Sequence, residues 1–201
     1  MSELLKKSET KNLGKSNTKN IASNEAKKLE MSEARHKKIK HSYKVQNPEN
    51  AVVLKLKDGD VVIELFEDVA PVHVSRIKEL VRQGFYNGLK FHRVIDGFMA
   101  QTGCPLGTGT GGSGKKLKAE FNQKPHKRGT VSMARAANPD SADSQFFICF
   151  ADAPWLNGQY TVFGEVTSGM EYVDNIKRGS GYNGMVDEPD EIISMHIVAD
   201  L

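Results

Sequence analysis

The sequence predicts a mostly β domain, an antiparallel sheet closed into a barrel with two helices packed on it, behind a basic tail. Three observations predict it. Seven short runs between Ala51 and Leu201 have strand-like apolar patterns, two segments have a helical period, and residues 1–50 have neither. Many short strands with two separated helices favour a sheet that curls on itself under the helices.

The domain opens on AVVLKLK and DVVIELF, residues 51–57 and 60–66, on either side of Asp58-Gly59. Alternating runs around Asp-Gly predict a hairpin with a tight type I′ turn, which needs positive φ at both central residues. APVHVSRIKELVRQG follows. Pro71 suits the first helical position and Gly84 the stop, and Val74, Ile77 and Val81 share a face. LKFHRVI, GTVSMAR, SQFFICF and YTVFGEV read as four more strands. Ser168 and Glu171 have capping-box spacing for a second helix, with Met170, Val173 and Ile176 inward and Gly179 ending it. EIISMHIVADL alternates as a last strand.

Charge marks the boundary. Residues 1–50 hold 12 Lys+Arg against 6 Asp+Glu, a net of +6, whereas residues 51–201 hold 16 and 19, a net of −3. Tyr43 is the one aromatic of the first segment. Such a chain buries too little apolar surface to offset backbone entropy of ~1–2 kcal/mol per residue. The expectation is a disordered or partly helical tail over 1–50 and one domain over 51–201. Residues 24–40 are rich in helix formers, with Glu33 and Lys37 an i,i+4 pair, but they show no apolar stripe. The six acids interspersed in the tail and its lack of a stacking platform argue against nucleic-acid contact.

Several chemistries are set aside. No apolar run nears the ~18 residues that span a bilayer, and MSELLKKSET lacks the apolar core of an export signal, so a cytoplasmic location is expected. From Gly109 the chain reads GTGGSGKK, one residue short of a phosphate loop, with Lys116 where a magnesium-binding hydroxyl belongs. There is no G-x-S-x-G elbow, and the six histidines have no metal-ligand spacing, so neither metal nor cofactor is expected. His92 reads as a structural histidine, Cys149 as a core filler and Cys104 as a reduced thiol in a Gly/Pro loop.

Three segments resist a purely structural account. Phe91–Gln101 places Arg93 inside an apolar strand, which is costly unless it faces a cleft. Ser144–Ile148 sets Gln145 beside paired phenylalanines, and Trp155–Gly158 holds the single tryptophan. Together they suggest an apolar pocket with one cation and two amides at its rim.

FHRVIDGFMAQTG, GTGTGG, GTVSMARA, DSQFFICF and WLNGQYTVFGEV, in this order, closely resemble the cyclophilins, the peptidyl-prolyl cis-trans isomerases. The resemblance runs from about Val52 to Leu201, and the short segment between Gly84 and Phe91 is similar to compact bacterial members. It implies an eight-stranded antiparallel barrel, closed and capped by two α-helices. It implies Arg93 as the catalytic arginine and Phe98, Met99 and Gln101 as pocket residues. Gly109 and Thr110 match the glycine loop, and Ala134, Arg135 and Ala136 flank the peptide backbone. Gln145 and Phe147 match SQFF, and Trp155, Leu156 and Tyr160 match the edge where cyclosporin-like cyclic peptides sit. Arg135 stands where the best-known members have asparagine and Tyr160 where they have histidine, which bears on inhibitor affinity more than on activity. The implied partners are proline-containing polypeptides, the implied state a monomer, and the implied role assistance to protein folding. The competing reading is a proline-peptide-binding chaperone or scaffold with incidental isomerisation; it has no need of Arg93.

Overall fold

A computed structural model of the 201-residue chain describes Lys27 and residues 43–201. The expectations for residues 1–42 otherwise lie outside the described residues. Among those described, the strands are β1 (Ala51–Lys55), β2 (Asp60–Leu65), β3 (Arg93–Ile95), β4 (Met99–Thr102), β5 (Thr130–Met133), β6 (Phe146–Cys149), β7 (Val162–Ser168) and β8 (Ser194–Ile197). The helices are α1 (Pro71–Arg82) and α2 (Met170–Asp174). All eight strands join one antiparallel sheet in the order β3-β4-β6-β5-β7-β2-β1-β8. No helix among the described residues is long and apolar enough to cross a membrane.

The sheet curls but does not close. Its edge strands, β3 and β8, share no ladder; isolated bridges, Lys90 with Glu191 and Arg93 with Met185, join the β3 side only to the segment that leads into β8. The expected closed barrel is therefore corrected to an open one. The reason lies before β8, where Gly181, Gly184 and Pro189 and a left-handed Glu188 (φ 51°) prevent a continuous strand. β4 is a strand that the apolar runs alone did not reveal: Met99–Thr102 sits between Gly97 and Gly103.

The β1–β2 hairpin forms, with Lys55 opposite Asp60 and Leu56 N donating to Gly59 O at 3.0 Å. Its loop is longer than the expected type I′ turn, and neither Asp58 nor Gly59 is left-handed. Gly59 is required for space instead, because a Cβ there would run into the Tyr172 ring. Helix α1 starts at Pro71 as expected and buries Val74, Ile77 and Val81. α2 is only five residues and starts after a left-handed Gly169 (φ 82°), with no side-chain cap. Ser168 is still strand there, so the expected capping box does not form. Val173 and Ile176 are buried nonetheless.

Strand alternation produces two apolar clusters. Phe146 and Ile148 of β6 join the main core with Leu54, Ile63, Ile77 and Phe163. Phe147 and Cys149 point the other way and pack with Met99, Ala153 and Leu156 in a smaller cluster. A remote carboxylate anchors α1. Glu120 accepts from Val72 N at 3.0 Å, His73 N at 2.9 Å and His73 Nδ1 at 2.6 Å. It satisfies two of the helix's unpaired amides and places negative charge at its N-terminus. Glu120→Ala leaves these donors, including the buried His73 ring, without their partner and is expected to cost about 1–3 kcal/mol. A lowered urea midpoint checks this, and an unchanged midpoint would refute it.

Candidate active site

The site begins as a row across four strands. Strand register sets Arg93 opposite Gln101, Gln101 opposite Phe147 and Phe147 opposite Ser132. Neighbouring strands lie about 4.8 Å apart, so the side chains of such a row meet on one face. Here that face is the outer one, because Val94, Ala100, Ile148 and Val131 of the same strands lie in the main core.

The row floors a cavity of about 290 Å³ lined by Arg93, Phe98, Met99, Gln101, Ala134, Arg135, Phe147, Trp155, Leu156 and Tyr160. A neighbouring cavity of about 350 Å³ shares Gln101, Ala134 and Arg135 and adds Gly109, Thr110, Ala136 and Gln145. Every residue singled out in the sequence therefore lines one of two adjoining hollows. The second also takes in Gly111, Lys116 and Asp143, which lie within quoted motifs but were given no role in the site, and Ser141, which no motif marked. Met99, Phe147 and Leu156 are buried, whereas Trp155 is 59% exposed and leans on Phe98 at 5.6 Å between centroids.

Arg93 is held from two sides. Its Nε donates to Asn183 O at 2.8 Å and its Nη1 to Gln101 Oε1 at 3.2 Å. Neither partner is a carboxylate, so these contacts orient the guanidinium without neutralising it, and N–H donors remain for a further partner. Gln101 in turn donates to Gln145 Oε1 at 2.9 Å. Asn183 contributes a backbone carbonyl, which no residue-type argument could have found. Its loop is fixed to β3 at both ends: Gly179 N donates to Val94 O, and Val94 N to Gly184 O.

The apolar wall rests on a histidine that no motif marked. His126 stacks on Phe147 at 6.1 Å and 16°, and Tyr160 meets both rings edge-on. His126 Nδ1 lies 3.1 Å from Asn157 Oδ1, and Nε2 lies 3.0 Å from Ser132 Oγ. These bonds tie the turn carrying Trp155 and Leu156 to β5. Burial pushes the His126 pKa below the ordinary imidazole value, and it does the same to His92, which is buried and lines neither cavity. Cys149, behind Met99, is buried, and its thiol is pushed up to about 12 by desolvation.

Arg135 lies over the Tyr160 ring, 4.6 Å from its centroid. It donates to Gln159 O through Nε at 3.0 Å and Nη2 at 2.8 Å, and to Ala136 O through Nη1 at 2.9 Å. The two unusual residues thus support each other, Arg135 fastening one rim and holding the aromatic wall upright.

The comparisons agree with this geometry. Residues 51–197 match the family model described as cyclophilin type peptidyl-prolyl cis-trans isomerase/CLD. A probable peptidyl-prolyl cis-trans isomerase of Brucella suis is 59% identical over 167 residues, covering 77% of this chain and 85% of that protein. Peptidyl-prolyl cis-trans isomerase B of Bacillus subtilis is 49% identical over 127 residues, covering 62% of this chain and 88% of that protein. Among solved structures, a cyclophilin type peptidyl-prolyl cis-trans isomerase from Cryptosporidium parvum, determined in the presence of the dipeptide Ala-Pro, superposes with a TM-score of 0.68. It is 32% identical, covering 73% of this chain and 98% of that one. A cyclophilin from Hirschia baltica gives a TM-score of 0.69 at 28% identity, covering 77% of this chain and 76% of that one. With the family model spanning most of the domain and bacterial relatives this similar, the chain belongs to the cyclophilin-type peptidyl-prolyl cis-trans isomerases.

Proposed function

We propose that this chain accelerates rotation about X-Pro peptide bonds in polypeptides, with Arg93 as its catalytic residue. The observation that carries the reading is an un-neutralised guanidinium held at the rim of an apolar cavity by an amide and a backbone carbonyl.

An X-Pro bond rotates slowly because twisting it breaks amide resonance, a barrier of about 20 kcal/mol. As it twists, the carbonyl loses partial negative charge and the prolyl nitrogen regains its lone pair. The twisted amide is less dipolar than the planar one, so an apolar site penalises it less. Phe98, Met99, Phe147 and Leu156 hold the proline ring and exclude water. Arg93 then donates to the newly basic nitrogen, an interaction that strengthens only near the transition state. One preorganised donor typically contributes ~3–4 kcal/mol, and a 10⁵-fold acceleration requires roughly 7 kcal/mol. Ring burial and anchoring of the peptide by Gln101 and the backbone near Ala134 and Ala136 supply the rest. No bond breaks, so the scheme calls for no nucleophile or cofactor.

The other expectations accompany this reading as proposals: a cytoplasmic monomer whose clients are proline-containing polypeptides, with a basic extension over 1–50. Cyclosporin-like peptides would compete for the same cavity against the Trp155–Tyr160 edge. Arg135 already donates to three backbone carbonyls, those of Gln159, Ala136 and Ala137, so its bracing of Tyr160 outweighs recruitment of acidic substrate residues.

Conversion of an Ala-Pro-Phe reporter peptide tests the proposal. Arg93→Ala is expected to lower kcat/KM by about 10²-fold or more with the fold intact. A folded Arg93→Ala variant as fast as wild type would remove Arg93 from the mechanism. The pH profile is a second check. Arginine side chains do not titrate in this range, and burial lowers the pKa of His92 and of His126, so kcat/KM should change less than about twofold between about pH 6.5 and 8. A steep step in that range would mean that one of the histidines takes part.

A further inference from the structure

The polar frame around Arg93 continues beyond Gln145. Gln145 Nε2 donates to the carbonyls of Gly109 and Gly111, each at 2.8 Å. The N–H groups of the same two glycines donate to the sulfur of Cys104, each at 3.2 Å. Each glycine therefore couples the thiol to Gln145 through its own backbone atoms.

The sulfur is built into this position. Cys104 is 1% exposed, and Gly107 N donates to its carbonyl at 3.0 Å, closing the turn. Burial alone would push its pKa up, but the amides of Gly111, Thr108, Gly109 and Leu106 outweigh burial and hold the thiol below its ordinary value. The buried His92 ring backs the same segment: a Cβ on Gly109 would meet Nε2 at 3.4 Å. Gly109 also has φ +86°, so a side chain there would be strained.

We propose that Cys104 is a positioning residue for the isomerisation: its sulfur fixes the Gly109–Gly111 segment, whose carbonyls orient Gln145, which orients Gln101 and through it the Arg93 guanidinium. The successive contacts are 3.2, 2.8, 2.9 and 3.2 Å. Every member between the thiol and Arg93 is neutral, so the relay transmits geometry without quenching the charge. Sulfur suits the task because it accepts hydrogen bonds and its size and polarisability let several amides share it. The relay does not include Phe98, Met99 or Leu156, so loosening it slows bond rotation more than it weakens capture of the proline ring.

The inference rests on the isomerase reading, and the experiment separates the two. Exchange NMR with a saturating Ala-Pro peptide gives the rotation rate on the enzyme and the affinity independently. A wild type no faster than the uncatalysed reaction would remove the isomerase reading. With a fast wild type, the variants judge the relay alone. Cys104→Ala is expected to slow rotation by about fivefold or more with a smaller fold-change in affinity, well inside the ~10²-fold that ångström-scale misplacement can cost. Cys104→Ser, which keeps an acceptor, should recover most of the rate. The side-chain amide signals of Gln101 and Gln145 should shift in Cys104→Ala and return toward wild type in Cys104→Ser. Combined with Gln145→Ala, Cys104→Ala should add little further loss, because both break one path. Unchanged rotation in Cys104→Ala, equal losses in the Ala and Ser variants, or independent losses in the double variant would overturn the relay. If Cys104→Ala does not fold, Cys104→Val, which fills the space without accepting a hydrogen bond, replaces it in the same comparison.

Discussion

The period-two alternation of β3, β4, β6 and β5, locked in one register, is the constraint on which the site depends. It sends Val94, Ala100, Ile148 and Val131 into the main core and leaves Arg93, Gln101, Phe147 and Ser132 in line on the opposite face. A slip of one residue in β6 would exchange Phe146 for Phe147 and Ile148 for Cys149, ruining core and cavity together. The apolar cost of that exchange makes the core the guarantor of the site's geometry. The open edge of the sheet fits the same scheme: β3 lacks a ladder partner beyond Arg93, and there the loop ending in Gly184 supplies Asn183 O to the guanidinium.

Around Arg93 the protein uses amides and carbonyls where acids would bind more tightly. A carboxylate at position 101 would form an ion pair that held the guanidinium well but cancelled much of its field. Gln101 and Asn183 O fix its direction and leave its charge and remaining donors to the bond that twists. The opposite wall follows a complementary rule. His126 is kept neutral by burial and serves as a flat, hydrogen-bonded plate behind Phe147, joining β5 to the turn of Trp155. Arg135 braces Tyr160 from outside, a second cation whose donors go to the protein's own backbone.

Much of this was legible in the chain. The helix from Pro71 and most strands follow from local pattern, since burial on one face imposes a period that the sequence must carry. The cation, two amides and aromatics at the rim were equally visible, because an arginine in an apolar run is costly without a cleft to face. β4 was not visible, lying between glycines, and the capping box at Ser168 failed because pairing in β7 held that residue.

Residue order fixes local features: where the chain alternates, where it turns, and which side chains were too polar or too large to be idle. Tertiary structure alone decided whatever depends on atoms distant along the chain or on the backbone. The hairpin loop took its shape with Gly59 against Tyr172, α1 is capped from Glu120, and the sheet stays open because Gly184 and Pro189 interrupt its closing segment. The carbonyl of Asn183, the neutral ring of His126 and the sulfur of Cys104 reach the site only through folding. Residue type encodes side-chain chemistry, but a backbone carbonyl looks the same at every position until the fold aims it.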